Sequence, residues 1–274
     1  MIELIKGMFS FNFMVRAILV GVPVALCAAL LGVSLVLKRY SMIGDGLSHF
    51  GFGVLSVAVA LNLAPLAFSI PIMILAAFAL LRIRESSKIK GDAATAIIST
   101  GSLAVGIMAI SLSTGINADV YSYMFGSILA MSKGDVWLSL CLSSLVLILF
   151  IVCYNRIFAI TFDEAFAQAT GTRTNLYNFL IAISTAITIV LGMRMIGTLL
   201  ISALIVFPAL SAMRICKRFK NVVICAAVIS VICLLSGLVI SYALATPTGA
   251  SIVVVNIIFF IAFSLAGFIK SRVN

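Results

Sequence analysis

Asp45 and His49, four residues apart, lie in the stretch Met-Ile-Gly-Asp-Gly-Leu-Ser-His-Phe-Gly-Phe-Gly at residues 42–53, and His49 is the only histidine of the chain. On a helix, side chains at i and i+4 share one face with Cβ atoms roughly 5–6 Å apart, so a carboxylate and an imidazole placed there can hold one cation. That ligand set suits zinc and also manganese or iron, and the stretch has no thiolate to pull the choice towards copper or a structural zinc site. Two ligands do not close a site. A symmetric pair of chains with this helix at its axis would supply four. The competing structural reading has His49 hydrogen-bonded to a neighbouring helix and Asp45 paired with Lys38 or Arg39. Two ionisable groups on one face of a membrane helix favour the functional reading, because each costs about 2.5–3.5 kcal/mol to insert on translocon scales. Gly44, Gly46, Gly51 and Gly53, with Ser48 among them, make the same helix thin enough for close approach by its neighbours.

The elements that position this pair are membrane helices. Of 274 residues, 64% are hydrophobic and 9% charged, and the mean hydropathy is +1.30, far from the roughly 25% charge of a soluble domain. Windows of about 19 residues place all-α spans near 13–37, 44–63, 65–81, 93–113, 136–154, 176–192, 195–213, 222–244 and 250–269. The chain thus reads as one polytopic transmembrane domain, residues 1–274, of eight or nine helices. The first run ends in Lys38-Arg39, a stop-transfer pattern on a helix too long for a signal peptide. Pro65 and Pro247-Thr248-Gly249 punctuate the chain, and Pro23, Pro71 and Pro208 fall inside expected helices.

The formal charge of +10 follows membrane topology better than nucleic-acid binding. Lys38, Arg39, Arg82, Arg84, Lys88, Lys90, Arg156, Arg173, Arg214, Lys217, Arg218, Lys220, Lys270 and Arg272 fall on one side of the expected spans, and Lys6, Arg16, Lys133 and Arg194 on the other. The positive-inside rule then puts the N-terminus outside and the C-terminus in the cytoplasm. The six cysteines lie in or beside apolar runs without metal-finger spacing and read as small buried hydrophobes.

Two segments between spans carry their own signals. Residues 114–135, on the outer side, hold an aromatic stretch at 117–126 that reads either as a re-entrant piece or as an interfacial belt. On the cytoplasmic side, about 157–172, Thr161 precedes a short helix with Asp163 and Glu164 in its first turn and Gly171 at its end. Its Phe162 and Phe166 with acids suit docking to a soluble partner, whereas helices that lie on lipid are usually basic. The chain has no phosphate-binding loop, dinucleotide fingerprint or nucleophile elbow, and one histidine excludes a His-Glu-x-x-His protease. It is read as a transport protein, not an enzyme.

Several of these motifs resemble a known family. Gly44-Asp45-Gly46-Leu47-Ser48-His49 resembles the G-D-x-L-S-H signature of permease subunits of bacterial metal-ion ABC importers of the zinc, manganese and iron group. Tyr121-Ser122-Tyr123-Met124-Phe125-Gly126 resembles the family's Y-L-F-G stretch, and Phe162-Asp163-Glu164-Ala165-Phe166-Ala167 with Gly171 its cytoplasmic F-D-x-x-x-A…G segment. Residues 196–209, from Ile196-Gly197-Thr198-Leu199 to Phe207-Pro208-Ala209, resemble its v-G-x-L-L-v-x-A-L-L-i-x-P-A helix. Ser127 and Ala245 depart from it, standing where many members carry acids. The resemblance implies a bacterial cytoplasmic-membrane permease that works as two copies with two cytoplasmic ATP-binding subunits and an extracellular metal-binding lipoprotein. It also implies no permanently bound cofactor, a transported divalent metal, and a coupling role for Phe162, Asp163, Glu164, Phe166 and Gly171. Gly46 and Phe52 look closer to zinc-type members, so zinc is expected first and manganese or iron next. The alternative is a proton-coupled secondary metal transporter that works without an ATPase.

Overall fold

The computed structural model describes residues 11–86, 91–113 and 133–273, and the described part is helical throughout. The helices are α1 (Asn12–Leu37), α2 (Ser41–Ala60), α3 (Pro65–Ser86), α4 (Gly91–Leu112), α5 (Lys133–Val152), α6 (Tyr154–Phe162), α7 (Glu164–Ala169), α8 (Thr174–Ile196), α9 (Thr198–Ile215), α10 (Phe219–Leu244) and α11 (Thr248–Val273). The hydropathy boundaries hold to within a few residues. Their number as clear spans does not: seven helices among the described residues are long and apolar enough to cross a bilayer, against the nine expected. The other two have short apolar stretches, Pro65–Leu80 and Leu200–Ile215. The whole helices α3 and α9 run 22 and 18 residues, about 33 and 27 Å at 1.5 Å per residue, beside a hydrocarbon core about 30 Å thick.

α1 is at the centre, packed on α5, α8, α9 and α10, and its Val20, Val24, Ala25, Ala28, Ala29 and Val33 are fully buried. Lipid tails are as apolar as these side chains, so helices gain cohesion from close packing and interhelical hydrogen bonds rather than from escape from water. Both are visible here. A Cβ on Gly32 of α1 would collide with the backbone carbonyl of Ile205 on α9. Ser230 of α10 donates to the Ala25 carbonyl at 2.9 Å, and Cys27 donates to the Ser143 carbonyl of α5 at 3.3 Å. Cys27 and Cys233 are buried as expected; Cys141 is exposed, and Cys153, Cys216 and Cys225 are half-buried, the first two of these at helix ends and Cys225 on the same α10 as Cys233.

Pro23, Pro71 and Pro208 are all inside helices, where each leaves one carbonyl of the preceding turn without its amide partner. Three non-glycine residues, Arg39, Asn62 and Ala245, have positive φ of 60°, 54° and 51°. Each ends a helix in the left-handed conformation that glycine adopts at least cost. Ala245 terminates α10 at φ 51°, ψ 39°, exposed, with its amide bonded to the Ser241 carbonyl. An aspartate tolerates this backbone better than alanine does. Ala245→Gly is expected to stabilise the protein by about 0.5–1 kcal/mol. A thermal unfolding midpoint in detergent that does not rise would contradict this.

Candidate metal path and coupling face

α2 follows α1 after a tight reversal in which Tyr40 N donates to the Leu35 carbonyl at 2.7 Å and Arg39 N to the Val36 carbonyl at 3.0 Å. With Arg39 left-handed, this reversal is not a continuing helix. Depth is therefore counted from Ser41, which puts His49 about 12 Å along α2. Asp45 and His49 do share a face: Asp45 Oδ1 lies 3.8 Å from His49 Nε2, with the side chains 46% and 19% exposed. That separation is too long for a hydrogen bond. Two metal–ligand bonds of about 2.1 Å at a tetrahedral angle set their donor atoms about 3.4 Å apart, so a small closure lets both atoms bind one ion. His49 Nδ1 is buried without a hydrogen-bond partner among the described residues, and Nε2 is left facing Asp45. Ser48 turns away, fully buried, and donates to the Asp45 carbonyl at 2.7 Å.

The glycines of α2 position this pair. A Cβ on Gly46 would strike the Thr95 side chain of α4, and one on Gly53 would strike the Ser102 carbonyl and hydroxyl. Gly106 of α4 completes the contact, its added Cβ coming 2.8 Å from Gly53 Cα. Ser102 also donates to the Phe50 carbonyl at 3.2 Å. On the other faces Gly51 meets Met193 of α8 and Met73 of α3, and Gly44 meets Ile205 of α9. Gly46 and Phe52 are therefore packing residues: Phe52 is buried in the same α2–α4 seam, where its ring lies beside Gly106. Among the described residues, no group of three or more histidine, cysteine, aspartate or glutamate side chains can hold a metal.

The charged partners of this region lie elsewhere than the sequence suggested. Lys38 does not serve Asp45 as its salt-bridge partner. It reaches Glu164 Oε2 at 3.3 Å and Asn178 Oδ1 at 2.7 Å, and Asn178 Nδ2 donates to Glu164 Oε1 at 2.6 Å. Sequence reading missed this triangle because its members are more than 100 residues apart in two of three pairs; the only local sign is an asparagine in the first turns of an apolar helix. At the opposite end of α8, Arg194 pairs with Asp135 of α5 at 2.8 Å.

The segment at about 157–172, expected on the cytoplasmic side, is two short helices rather than one. Thr161 does not start the second: it lies in α6 and its hydroxyl bonds the Ile157 carbonyl at 2.6 Å. Asp163 is the cap, at φ −148°, with Oδ1 accepting from Phe166 N at 2.9 Å. A carboxylate satisfies an orphan amide at a helix start better than a threonine already bonded within its own helix. Gly171, at φ +82°, ends α7 as expected, with Thr172 N bonded to the Ala167 carbonyl at 3.0 Å. Ala167 is fully buried, whereas Phe162 and Phe166 are 59% and 65% exposed. Phe162 packs on Phe158 and on Phe219 of α10, at centroid distances of 5.0 and 5.8 Å, leaving an aromatic ledge beside α7. The aromatic stretch at 117–126 and Ser127 lie outside the described residues.

The family model of the ABC 3 transport family matches residues 10–267. The chain is 29% identical over 265 residues to the manganese import system permease protein ScaB of Streptococcus gordonii, covering 96% of this chain and 95% of that protein. It is 26% identical over 263 residues to the manganese transport system membrane protein MntC of Listeria innocua, covering 96% and 94%. Among solved structures, PsaBC from Streptococcus pneumoniae in complex with Fab superposes with a TM-score of 0.85 at 28% identity, covering 96% of this chain and 95% of that one.

Proposed function

Because this chain belongs to the ABC 3 transport family and is the permease of a metal importer whose ATPase is a separate subunit, we propose that it carries manganese past Asp45 and His49. The observation that carries this reading is the facing pair Oδ1 and Nε2, 3.8 Å apart, with Asp45 about half-exposed and His49 mostly buried. The carboxylate suits manganese, while the imidazole also suits zinc and iron, and the similar proteins ScaB and MntC are named for manganese. Zinc and iron remain ions to be tested beside it. Two copies of the chain, meeting along the side of α2 that displays the pair, supply the four ligands that one copy lacks. The whole chain works as one transmembrane domain with its N-terminus outside. A binding lipoprotein delivers the ion there, and an ATP-binding subunit for each copy drives the cycle from the cytoplasm.

The helices agree with this sidedness. Lys38, Arg156, Arg173, Arg214 and Arg218 flank the helix ends around α6 and α7, and Arg194 ends α8 at the far side. In this reading the exposed Phe162 and Phe166 dock the ATPase. Replacing both with alanine is expected to weaken its association by roughly 2–4 kcal/mol, the range for truncating anchors of an interface. Undiminished co-purification of the ATPase with that double variant would contradict the docking role.

The function is tested in proteoliposomes that hold the permease with its ATPase subunit and binding lipoprotein. ATP-dependent accumulation of radioactive manganese, reduced by excess cold manganese more than by zinc or iron at equal concentration, is expected. Accumulation of zinc alone, or uptake that persists without ATP, would overturn the proposal.

A further inference from the structure

We propose that Lys38 is a positioning residue that transmits movement of α7 to the metal pair on α2, through its joint hold on Glu164 and Asn178. This rests on the reading of α7 as an ATPase contact.

α7 is only six residues long, and its one fully buried side chain is Ala167. Its polar tether is Glu164, whose two oxygens are held by Lys38 Nζ at 3.3 Å and by Asn178 Nδ2 at 2.6 Å. Lys38 in turn is 7% exposed and closes the triangle on Asn178 Oδ1 at 2.7 Å. An ammonium buried to this degree is stable only while its partners stay. Movement of Glu164 therefore draws Lys38 with it.

Lys38 caps the C-terminal end of α1, with its amide bonded to the Ser34 carbonyl at 3.0 Å. Only Arg39 and Tyr40 separate it from α2, and both are pinned by backbone bonds into the reversal. A connector of two residues held in this way has little slack. A displacement at Lys38 reaches Ser41 and, along a rigid helix, Asp45 and His49. Where α2 meets α8 beside Lys38 there is a cavity of about 20 Å³ lined by Tyr40, Ile43, Leu47 and Ala182. This is room for about one water, enough for side chains at the start of α2 to shift slightly. Glu164 itself is 40% exposed, so solvent screens part of its attraction; what it supplies is one of the partners that the buried ammonium needs.

The test is a double-mutant cycle in the reconstituted transporter with its ATPase, made of Lys38→Met, Glu164→Gln and both, reading manganese moved per ATP hydrolysed. Each single variant is expected to bind the ATPase and hydrolyse ATP while this ratio falls about tenfold, within the usual range of coupling between sites. The double variant should be no worse than either single one, because both break the same link. A normal ratio in the single variants, or losses that multiply in the double, would overturn the proposal. If Lys38→Met does not assemble, Glu164→Gln decides alone, since it keeps the shape and the Asn178 bond and removes only the charge. Normal coupling in it would also overturn the link. The Phe162→Ala, Phe166→Ala variant separates the two readings: retained ATPase binding in it faults the docking role of this face, and normal Lys38 and Glu164 variants beside a lost interaction fault only the transmission.

Discussion

Asp45→Ala and His49→Ala each lower ATP-driven metal uptake by at least about 100-fold while the permease still assembles with its ATPase. Disturbing groups that merely support metal ligands costs 10–100-fold, and on the proposed reading these changes remove a ligand itself. Folding survives because the pair does little structural work. Asp45 is 46% exposed, and the bond that fixes the local backbone comes from Ser48 to a main-chain carbonyl. The two side chains are 3.8 Å apart, beyond hydrogen-bonding range, so the loss of one does not strip the other of a bond. Uptake of labelled manganese and co-purification of the ATPase check the two halves separately. Normal uptake in both variants would return the pair to a structural role.

Gly53→Leu destabilises the protein by about 3 kcal/mol or more, the upper part of the range for overpacking a tight interior. The first added carbon meets the Ser102 backbone, which cannot rotate away as a side-chain end can. α4 must therefore withdraw along its length, and the Ser102 bond to the Phe50 carbonyl, one residue from His49, is lost with it. Gly101→Leu on the same α4 is the control. Nothing lies within 4 Å of a Cβ there, because Gly101 lines an open apolar groove between α2, α3 and α4. That variant is expected to be neutral or more stable by a few tenths of a kcal/mol, from helix propensity. Equal thermal midpoints for the two variants would contradict the close approach of α2 and α4.

Much of this was legible in the sequence because it depends on neighbours in the chain. Apolar runs set the helices, the i, i+4 spacing put Asp45 and His49 on one face, and glycines announced a crowded helix. The cytoplasmic segment was also recognisable, with Gly171 as its stop. Competition between nearby groups was harder to read. Thr161 and Asp163 are both good helix starters, and the contest went to Asp163 only because the hydroxyl of Thr161 was already bonded to Ile157. The count of clear spans differs, seven among the described residues against nine expected, while the helix boundaries agree. What no local pattern could show is the joining of Lys38, Glu164 and Asn178, which depends on α1, α7 and α8 meeting in space. The order of ions was not legible either: zinc was expected first on Gly46 and Phe52, which pack against α4, whereas the similar proteins ScaB and MntC are named for manganese.

The most direct measurement is anomalous scattering at the manganese edge from the transporter, permease with ATPase, prepared with manganese and trapped without hydrolysis. The account expects manganese bonded to Asp45 Oδ1 and His49 Nε2 at about 2.0–2.3 Å, with the same two atoms of the second copy completing its shell. Manganese held elsewhere in the path, with Asp45 and His49 unbound in a transporter that moves the ion, would contradict it.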